Sequence, residues 1–118
     1  VNPLLCEGQV EGAVHMGLGY ALSEGFPCDA DGRPLNETLR SLDIIRPKDM
    51  PDVDVILVEA AEPNSPYGIK GVGEIGLVPT AGAVAAAMHA NDGQWRTELP
   101  LVNEANRERS SGWVGQLS

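Results

Sequence analysis

Apolar residues recur at helical spacing in two parts of the chain. In residues 7–24, EGQVEGAVHMGLGYALSE, they lie three and four positions apart and form one stripe. The stripe consists of Val10, Ala13, Val14, Gly17, Leu18, Ala21 and Leu22. A second helix is predicted over residues 79–91, because an alanine-rich run follows Pro79, a residue that suits the first helical position. Gly25 and Gly93 are predicted to end the two helices.

Between the two helices the pattern is typical of strands and turns. Residues 53–60, VDVILVEA, are mostly apolar and rich in β-branched side chains, so they predict a buried strand. A second strand is predicted over residues 38–46. Turns are predicted at DADG, residues 29–32, and at PNSPYG, residues 63–68, from their Gly, Pro, Asn and Asp content. Together these elements predict an α+β fold with two helices packed on a small mixed or antiparallel sheet.

The composition narrows the classes of function. The chain has 118 residues, enough for one domain, and a formal charge of −9 with no basic patch, which argues against nucleic-acid binding. No stretch reaches the roughly 20 apolar residues that span a membrane. Cys6 and Cys28 lie outside any C-x-x-C pattern and predict no zinc or iron–sulfur site. Two free thiols fit a reducing, cytoplasmic compartment.

The stretch GVGEIG, residues 71–76, fits the G-x-G-x-x-G pattern of dinucleotide-binding sites. A dinucleotide site also needs a strand that runs directly into the first glycine and a helix that opens at the end of the loop. It further needs an acidic residue about 20 positions on, after a second strand. Here PNSPYGIK separates the predicted strand from the glycines, the helix is delayed to about Pro79, and no apolar strand follows it. The context therefore argues against NAD or FAD.

The same glycines allow a second interpretation, in which they present Glu74. Gly71 and Gly73 carry no side chains, so a bulky group can approach the carboxylate of Glu74. Burial beside Val72 and Ile75 would favour the protonated form of that carboxylate, which suits a general base near neutral pH. A surface turn whose glutamate faces water has the same pattern. The residues alone leave both interpretations open.

Two motifs in order resemble a known family. They are G-Q-x-x-G-A at residues 8–13 and K-G-V-G-E at residues 70–74, about 65 residues apart, with an apolar helix after the second. The ordered set resembles the C-terminal part of the molybdopterin-binding large subunit of the xanthine dehydrogenase and aldehyde oxidase family, the molybdenum hydroxylases. The resemblance assigns residues 1–104 to a portion of that molybdopterin-binding domain. It leaves residues 105–118 as a polar tail.

The resemblance implies roles for individual residues. Glu74 matches the family's general base, which acts on the molybdenum-bound hydroxide, and Gln9 matches a glutamine that hydrogen-bonds the molybdopterin cofactor. Lys70, Gly71 and Gly73 are implied to line the same pocket. The cofactor's own dithiolene holds the metal in this family, so no protein ligand to molybdenum is implied. The implied reaction oxidises a small molecule: a purine, another N-heterocycle or an aldehyde.

The chain also departs from the family, whose large subunit is several times longer. The [2Fe-2S] clusters and FAD are implied to lie on other domains or subunits. The chain is therefore expected to be a fragment or one subunit, inactive alone, whose partners are the remaining large-subunit domain, other subunits or a second copy of itself. The alternative is a non-catalytic folded remnant or assembly module that docks another chain. Either form is expected to expose apolar surface.

Overall fold

The computed structural model describes residues 2–101; the predicted polar tail, residues 105–118, lies outside them. Two α-helices pack against each other: α1, Pro3–Leu22, and α2, Thr80–Asp92. Short 3₁₀ helices lie between them at Leu39–Leu42, Pro47–Asp49 and Pro66–Gly68. Within the described part of the chain, no helix is long and apolar enough to cross a membrane.

The first helix begins earlier than the apolar stripe predicts. Asn2 is its N-cap and Pro3 its first residue, four positions before the predicted start. The side-chain oxygen of Asn2 accepts a hydrogen bond from the backbone N–H of Leu5 at 3.4 Å. Leu4 and Leu5 are 73% and 70% exposed, so they do not continue the buried stripe. The helix ends at Leu22, before the predicted stop at Gly25.

The second helix confirms its prediction to within one residue at each end. The alanine-rich run forms α2, with Pro79 as its N-cap. Gly93 closes the helix in the left-handed conformation, at a φ of 73°, and its N–H donates to the carbonyl of His89 at 2.7 Å. This geometry favours glycine, which lacks the Cβ that makes the left-handed region costly for other residues.

The described residues contain no β-strand, and their one isolated bridge joins Cys28 to Pro34. The strand prediction for residues 38–46 is wrong, because Leu39–Leu42 forms a 3₁₀ turn. Ser41 stabilises that turn locally: its N–H donates to the carbonyl of Thr38 at 3.0 Å, and its hydroxyl accepts from the N–H of Thr38 at 3.3 Å. Local bonds of this kind compete with strand pairing.

Residues 53–60 form no ladder among the described residues, and their predicted burial is wrong, since six of the eight residues are exposed and none is buried. Val53 and Val55 are half-buried, whereas Ile56 and Val58 are 86% and 85% exposed. The small sheet stays a prediction, since no ladder forms within residues 2–101.

The apolar core of the described residues is small. Its buried apolar residues are Ala13, Ala21 and Leu101. Leu101 is held by its backbone N–H, which donates to the carbonyl of Ala21 at 2.5 Å. No large side chain in residues 2–101 is fully buried, and 17 large apolar side chains are exposed. The expected exposure of apolar surface is therefore confirmed.

An ion pair joins the last residue of α2 to the segment that follows the helix. Arg96 Nη2 lies 2.6 Å from Asp92 Oδ2, and the backbone N–H of Gln94 donates to Asp92 Oδ1 at 3.0 Å. The Arg96 hydrogen bond first, and the Gln94 bond second, lower the pKa of Asp92 from 3.8 to about 2. Since the folded pKa lies below the unfolded one, this stabilisation is present above pH 3.8 and is lost as the pH falls through about 2.

Removal of the guanidinium should return this carboxyl group to ordinary behaviour. We expect Arg96→Gln to raise the pKa of Asp92 from about 2 towards 3.8, because the largest cause of the shift is removed. A pH titration of the Asp92 carboxyl carbon by NMR measures it. Arg46→Gln is the matched control, because it breaks the other ion pair, Arg46–Asp49, and leaves Asp92 intact. An unchanged pKa of Asp92 in Arg96→Gln would contradict the assignment.

Candidate functional site

Four residues that form one row on α1 contact residues 73–80 and residue 101. Residues four apart lie on the same face of a helix and are separated by about 6 Å along its axis. The row consists of Gln9, Ala13, Gly17 and Ala21. Its partners, in the same order, are Gly73, Gly76, Thr80 and Leu101. The polypeptide from the glycine loop, residues 71–76, into α2 therefore runs along α1.

The first contact of the row joins the two sequence motifs. The side-chain Nε2 of Gln9 donates a hydrogen bond to the carbonyl oxygen of Gly73 at 3.0 Å, across 64 positions of sequence. Gly73 directly precedes Glu74 in the chain. Both bonded residues are exposed. The structure thus brings together the predicted site residues Gln9, Gly73 and Glu74, which the sequence could only place on separate segments.

The second contact is a close approach of two backbones at Gly76. A Cβ added to Gly76 would lie 3.0 Å from the Cβ of Ala13 and 3.2 Å from the carbonyl oxygen of Val10. Those distances are too short for an ordinary side chain without movement of α1. The last glycine of the loop is therefore explained by packing against α1, with no need for a ligand.

The third contact fixes the start of α2. Thr80 is buried, and its hydroxyl donates to the carbonyl of Gly76 at 2.6 Å. A Cβ added to Gly17 would lie 2.5 Å from the Cβ of Thr80, so only glycine fits at this crossing. Gly17 belongs to the apolar stripe that the sequence predicts. The partner Thr80 was missed, because a lone threonine at a helix start carries no signal of a long-range contact.

Glu74 lies at the surface of the described residues. Its carbonyl accepts hydrogen bonds from the N–H groups of Leu77 and Val78 at 3.0 and 3.4 Å, which fixes its backbone on the side of α2. Its side chain is exposed, and the neighbouring Ile75 is 57% exposed. Of the two interpretations of the glycine loop, the described residues agree with the surface turn, because they do not enclose the carboxylate.

Four glycines around Gln9 and Glu74 have open space where a Cβ would lie. For Gly8, Gly12, Gly71 and Gly73 no described heavy atom comes within 4 Å of that position, and none of the four has a positive φ. The packing of the described residues therefore does not require glycine at these positions. A second molecule can approach the backbone closely at these positions.

The backbone of the glycine loop also has free hydrogen-bond donors. Within the described residues, none of the N–H groups of residues 71–76 donates a hydrogen bond. The Gln9 amide keeps one N–H and its oxygen after bonding Gly73. Lys70, beside the loop, is exposed and forms no ion pair with another described residue. These donors suit a ligand with many acceptor atoms or negative charge.

An open apolar groove of about 490 Å³ lies beside the loop, between α1 and α2. Its walls include Val14, Leu18 and Val84, and Gly76 lies at its edge. No charged side chain lines this groove, so it offers packing surface and no acid–base or metal chemistry. No group of three or more His, Cys, Asp and Glu side chains suited to a metal ion occurs in residues 2–101.

Comparisons with known proteins give matches that cover both motifs. Residues 1–51 match the family model described as a molybdopterin cofactor-binding domain. The gamma subunit of the 6-hydroxypseudooxynicotine dehydrogenase complex of Paenarthrobacter nicotinovorans is 36% identical over 115 residues, 95% of this chain. The xanthine dehydrogenase molybdenum-binding subunit of Escherichia coli O157:H7 is 39% identical over 103 residues, 86% of this chain. The chain spans 14% of the length of each of these relatives.

A solved structure has the same fold over most of the chain. The match is to quinoline 2-oxidoreductase from Pseudomonas putida 86, with a TM-score of 0.79 and 30% sequence identity. The aligned part covers 86% of this chain and 13% of that protein. The arrangement of α1, the glycine loop and α2 is therefore one that occurs inside a much longer oxidoreductase.

Proposed function

We propose that this chain, which matches a segment of the xanthine dehydrogenase and aldehyde oxidase family, supplies one wall of a molybdopterin site and the general base of a molybdenum hydroxylase. The observation that carries the proposal is the hydrogen bond from Gln9 to Gly73. It brings the glutamine of the first motif next to the glutamate of the second, which is the pairing that a shared site requires.

The residues present fit such a cofactor. A pterin edge has both donors and acceptors, and the remaining N–H and oxygen of the Gln9 amide match them without adding charge. The free N–H groups of residues 71–76 and the ammonium of Lys70 suit its anionic groups. Gly71 and Gly73 leave room for close approach. When bound, the molybdenum group supplies the oxygen nucleophile and takes up the electrons.

Glu74 contributes proton transfer in this proposal. Its carboxylate lies on a loop held on both sides, through Gly73 and through its own carbonyl, while its side chain remains accessible. A carboxylate so placed can accept the proton released at the nucleophile. The proposed substrate is a small molecule with an electron-poor carbon, either a purine, another N-heterocycle or an aldehyde. The names of the relatives support an oxidoreductase of this kind.

The rest of the enzyme comes from other parts of the protein or from other subunits. The exposed apolar side chains supply the surface that the remaining large-subunit domain would cover. Residues 53–60 would gain a partner strand there and complete the predicted sheet. Iron–sulfur clusters and FAD belong, in this proposal, to other domains or subunits.

The same exposed surface favours a second candidate, a non-catalytic module that docks another chain. Such a module needs the apolar faces and has no use for the open glycines around Gln9 and Glu74. A substitution that fills the open space without touching the chain itself therefore separates the two candidates.

Gly73→Leu, introduced into the complete subunit, distinguishes the two candidate functions. A Cβ at position 73 meets no described heavy atom within 4 Å, so the new side chain starts in the open space beside the loop. We expect molybdenum and pterin content to fall about tenfold or more, since overpacking costs about 1–3 kcal/mol. Gly82→Leu on α2 is the matched control, with equally open space away from the loop. Full cofactor content in Gly73→Leu would favour the docking module.

A further inference from the structure

We infer that Gln9 is a positioning residue for Glu74, because its side-chain amide holds the backbone from which the carboxylate works. The inference rests on the proposed function in one respect, the role of Glu74 as the base. It assigns to Gln9 a task that is separate from contact with a cofactor. That task is carried by one donor atom, Nε2, and one acceptor, the carbonyl oxygen of Gly73.

Glu74 is restrained from two directions. On the side of α2, its carbonyl accepts from the N–H of Leu77 at 3.0 Å. On the other side, the next backbone hydrogen bond upstream within the described residues is made by the N–H of Ile69. Between these two points, the described hydrogen bond that reaches the loop is the one from Gln9. Its loss would leave the polypeptide from Lys70 to Gly73 without such a bond.

The bond depends on the chemistry of the Gln9 side chain and not on enclosure. Gln9 is exposed, and its neighbours Gly8 and Gly12 have no contacts at their Cβ positions. A glutamate at position 9 has nearly the same shape but, when ionised, has acceptors alone, so it repels the carbonyl oxygen. A lysine there offers donors again.

The first arm of the test uses the 118-residue chain and needs no cofactor. We expect Gln9→Glu at pH 7 to speed hydrogen exchange of the Leu77 amide about three- to tenfold relative to wild type, the loss of one hydrogen bond. Amides of α1 and α2 should keep their wild-type exchange and report an intact fold. The carbonyl carbon of Gly73 should shift in the same variant. Glu11→Gln, an exposed substitution on α1 that changes the charge by one unit in the opposite direction, is the control.

Lowering the pH distinguishes a hydrogen-bond donor at position 9 from a side chain that only packs there. As the pH falls through about 4.3, the new carboxyl group gains a proton and can donate again, so the ratio of exchange rates should return towards one. Gln9→Lys should keep Leu77 exchange within about twofold of wild type, because an ammonium also donates. If Gln9→Glu disturbs the helices, the uncharged Gln9→Met gives the same comparison. The inference would be overturned if the Leu77 amide exchanged at the wild-type rate in both variants that lack a donor, Gln9→Glu at pH 7 and Gln9→Met.

The second arm uses the complete, cofactor-loaded enzyme. Misplacement of a catalytic group by about 1 Å can cost about 10²-fold in rate, so we expect Gln9→Glu to lower kcat about tenfold or more with KM within threefold. A normal kcat per bound cofactor, beside faster Leu77 exchange, would also overturn the positioning role. Failure of the proposed function would give a different result from failure of the positioning role. If Glu74 is not the base, Glu74→Gln retains turnover, whatever the hydrogen-exchange rates of the Leu77 amide are.

Discussion

We expect Glu74→Gln, placed in the complete and cofactor-loaded enzyme, to lower kcat by about 10²- to 10⁴-fold, the range that a positioned general base contributes. Glutamine keeps the size of the side chain and cannot accept the proton. The Glu74 side chain is exposed and makes no hydrogen bond to another described residue, so its loss should not disturb α1 or α2. Steady-state kinetics with purine and aldehyde substrates measure the effect.

Two controls establish whether the missing proton acceptor is what lowers kcat. Molybdenum and pterin content of the variant should equal that of wild type, which excludes loss of the cofactor as the cause. Glu59→Gln, an exposed carboxylate outside the glycine loop, should keep a normal kcat. A Glu74→Gln enzyme with full cofactor and a kcat within about threefold of wild type would rule out the general base.

The second large effect concerns the crossing of α1 and α2. We expect Gly17→Ala to destabilise the fold by about 1–2 kcal/mol, because overpacking outweighs the gain in helix propensity. The added Cβ would lie 2.5 Å from the Cβ of Thr80, and that buried β-branched side chain cannot rotate away without losing its 2.6 Å bond to Gly76. The thermal midpoint, followed by circular dichroism, should fall by about 4 °C or more.

Gly12→Ala is the matched control on the same helix and has the opposite expected sign. No described atom lies within 4 Å of its Cβ position. Alanine there should stabilise the helix by about 0.5–1 kcal/mol and raise the midpoint. If the two substitutions moved the midpoint in the same direction, close packing at Gly17 would not be what holds α1 against α2.

The helices could be predicted from the sequence because their signals are local. The alanine-rich run and Gly93 define α2 to within one residue. The body of α1 followed from its apolar stripe, but its first turn did not, because Leu4 and Leu5 are exposed and the start depends on Asn2 and Pro3. A cap is set by two residues, whereas periodicity needs several turns.

The sheet could not be settled from the same information. β-Branched residues at 53–60 favour a pleated surface, but six of the eight residues are exposed and they form no ladder within the described residues. Whether a ladder forms depends on a partner strand, which no local pattern specifies. At residues 38–46 a local alternative, the hydrogen bonds between Thr38 and Ser41, forms a turn instead.

The candidate site, too, could be predicted only in part from the sequence. Motif spacing selected Gln9 and Glu74 as residues of interest, while the bond from Gln9 to Gly73 is a contact across 64 positions that composition and periodicity do not encode. The residues alone leave open whether Val72 and Ile75 enclose Glu74, and within the described residues its side chain is exposed. In the proposed function, residues 2–101 supply one side of the site, and other parts of the enzyme supply its other walls.

The most direct test of the central claim is a structure of the complete, cofactor-loaded subunit that contains this segment. The claim predicts that the free N–H or oxygen of the Gln9 amide and the carboxylate of Glu74 both lie within hydrogen-bond distance of the cofactor or of substrate. The bond from Gln9 to Gly73 should be retained. A structure in which residues 71–76 face bulk solvent, with the cofactor bound elsewhere, would contradict the claim.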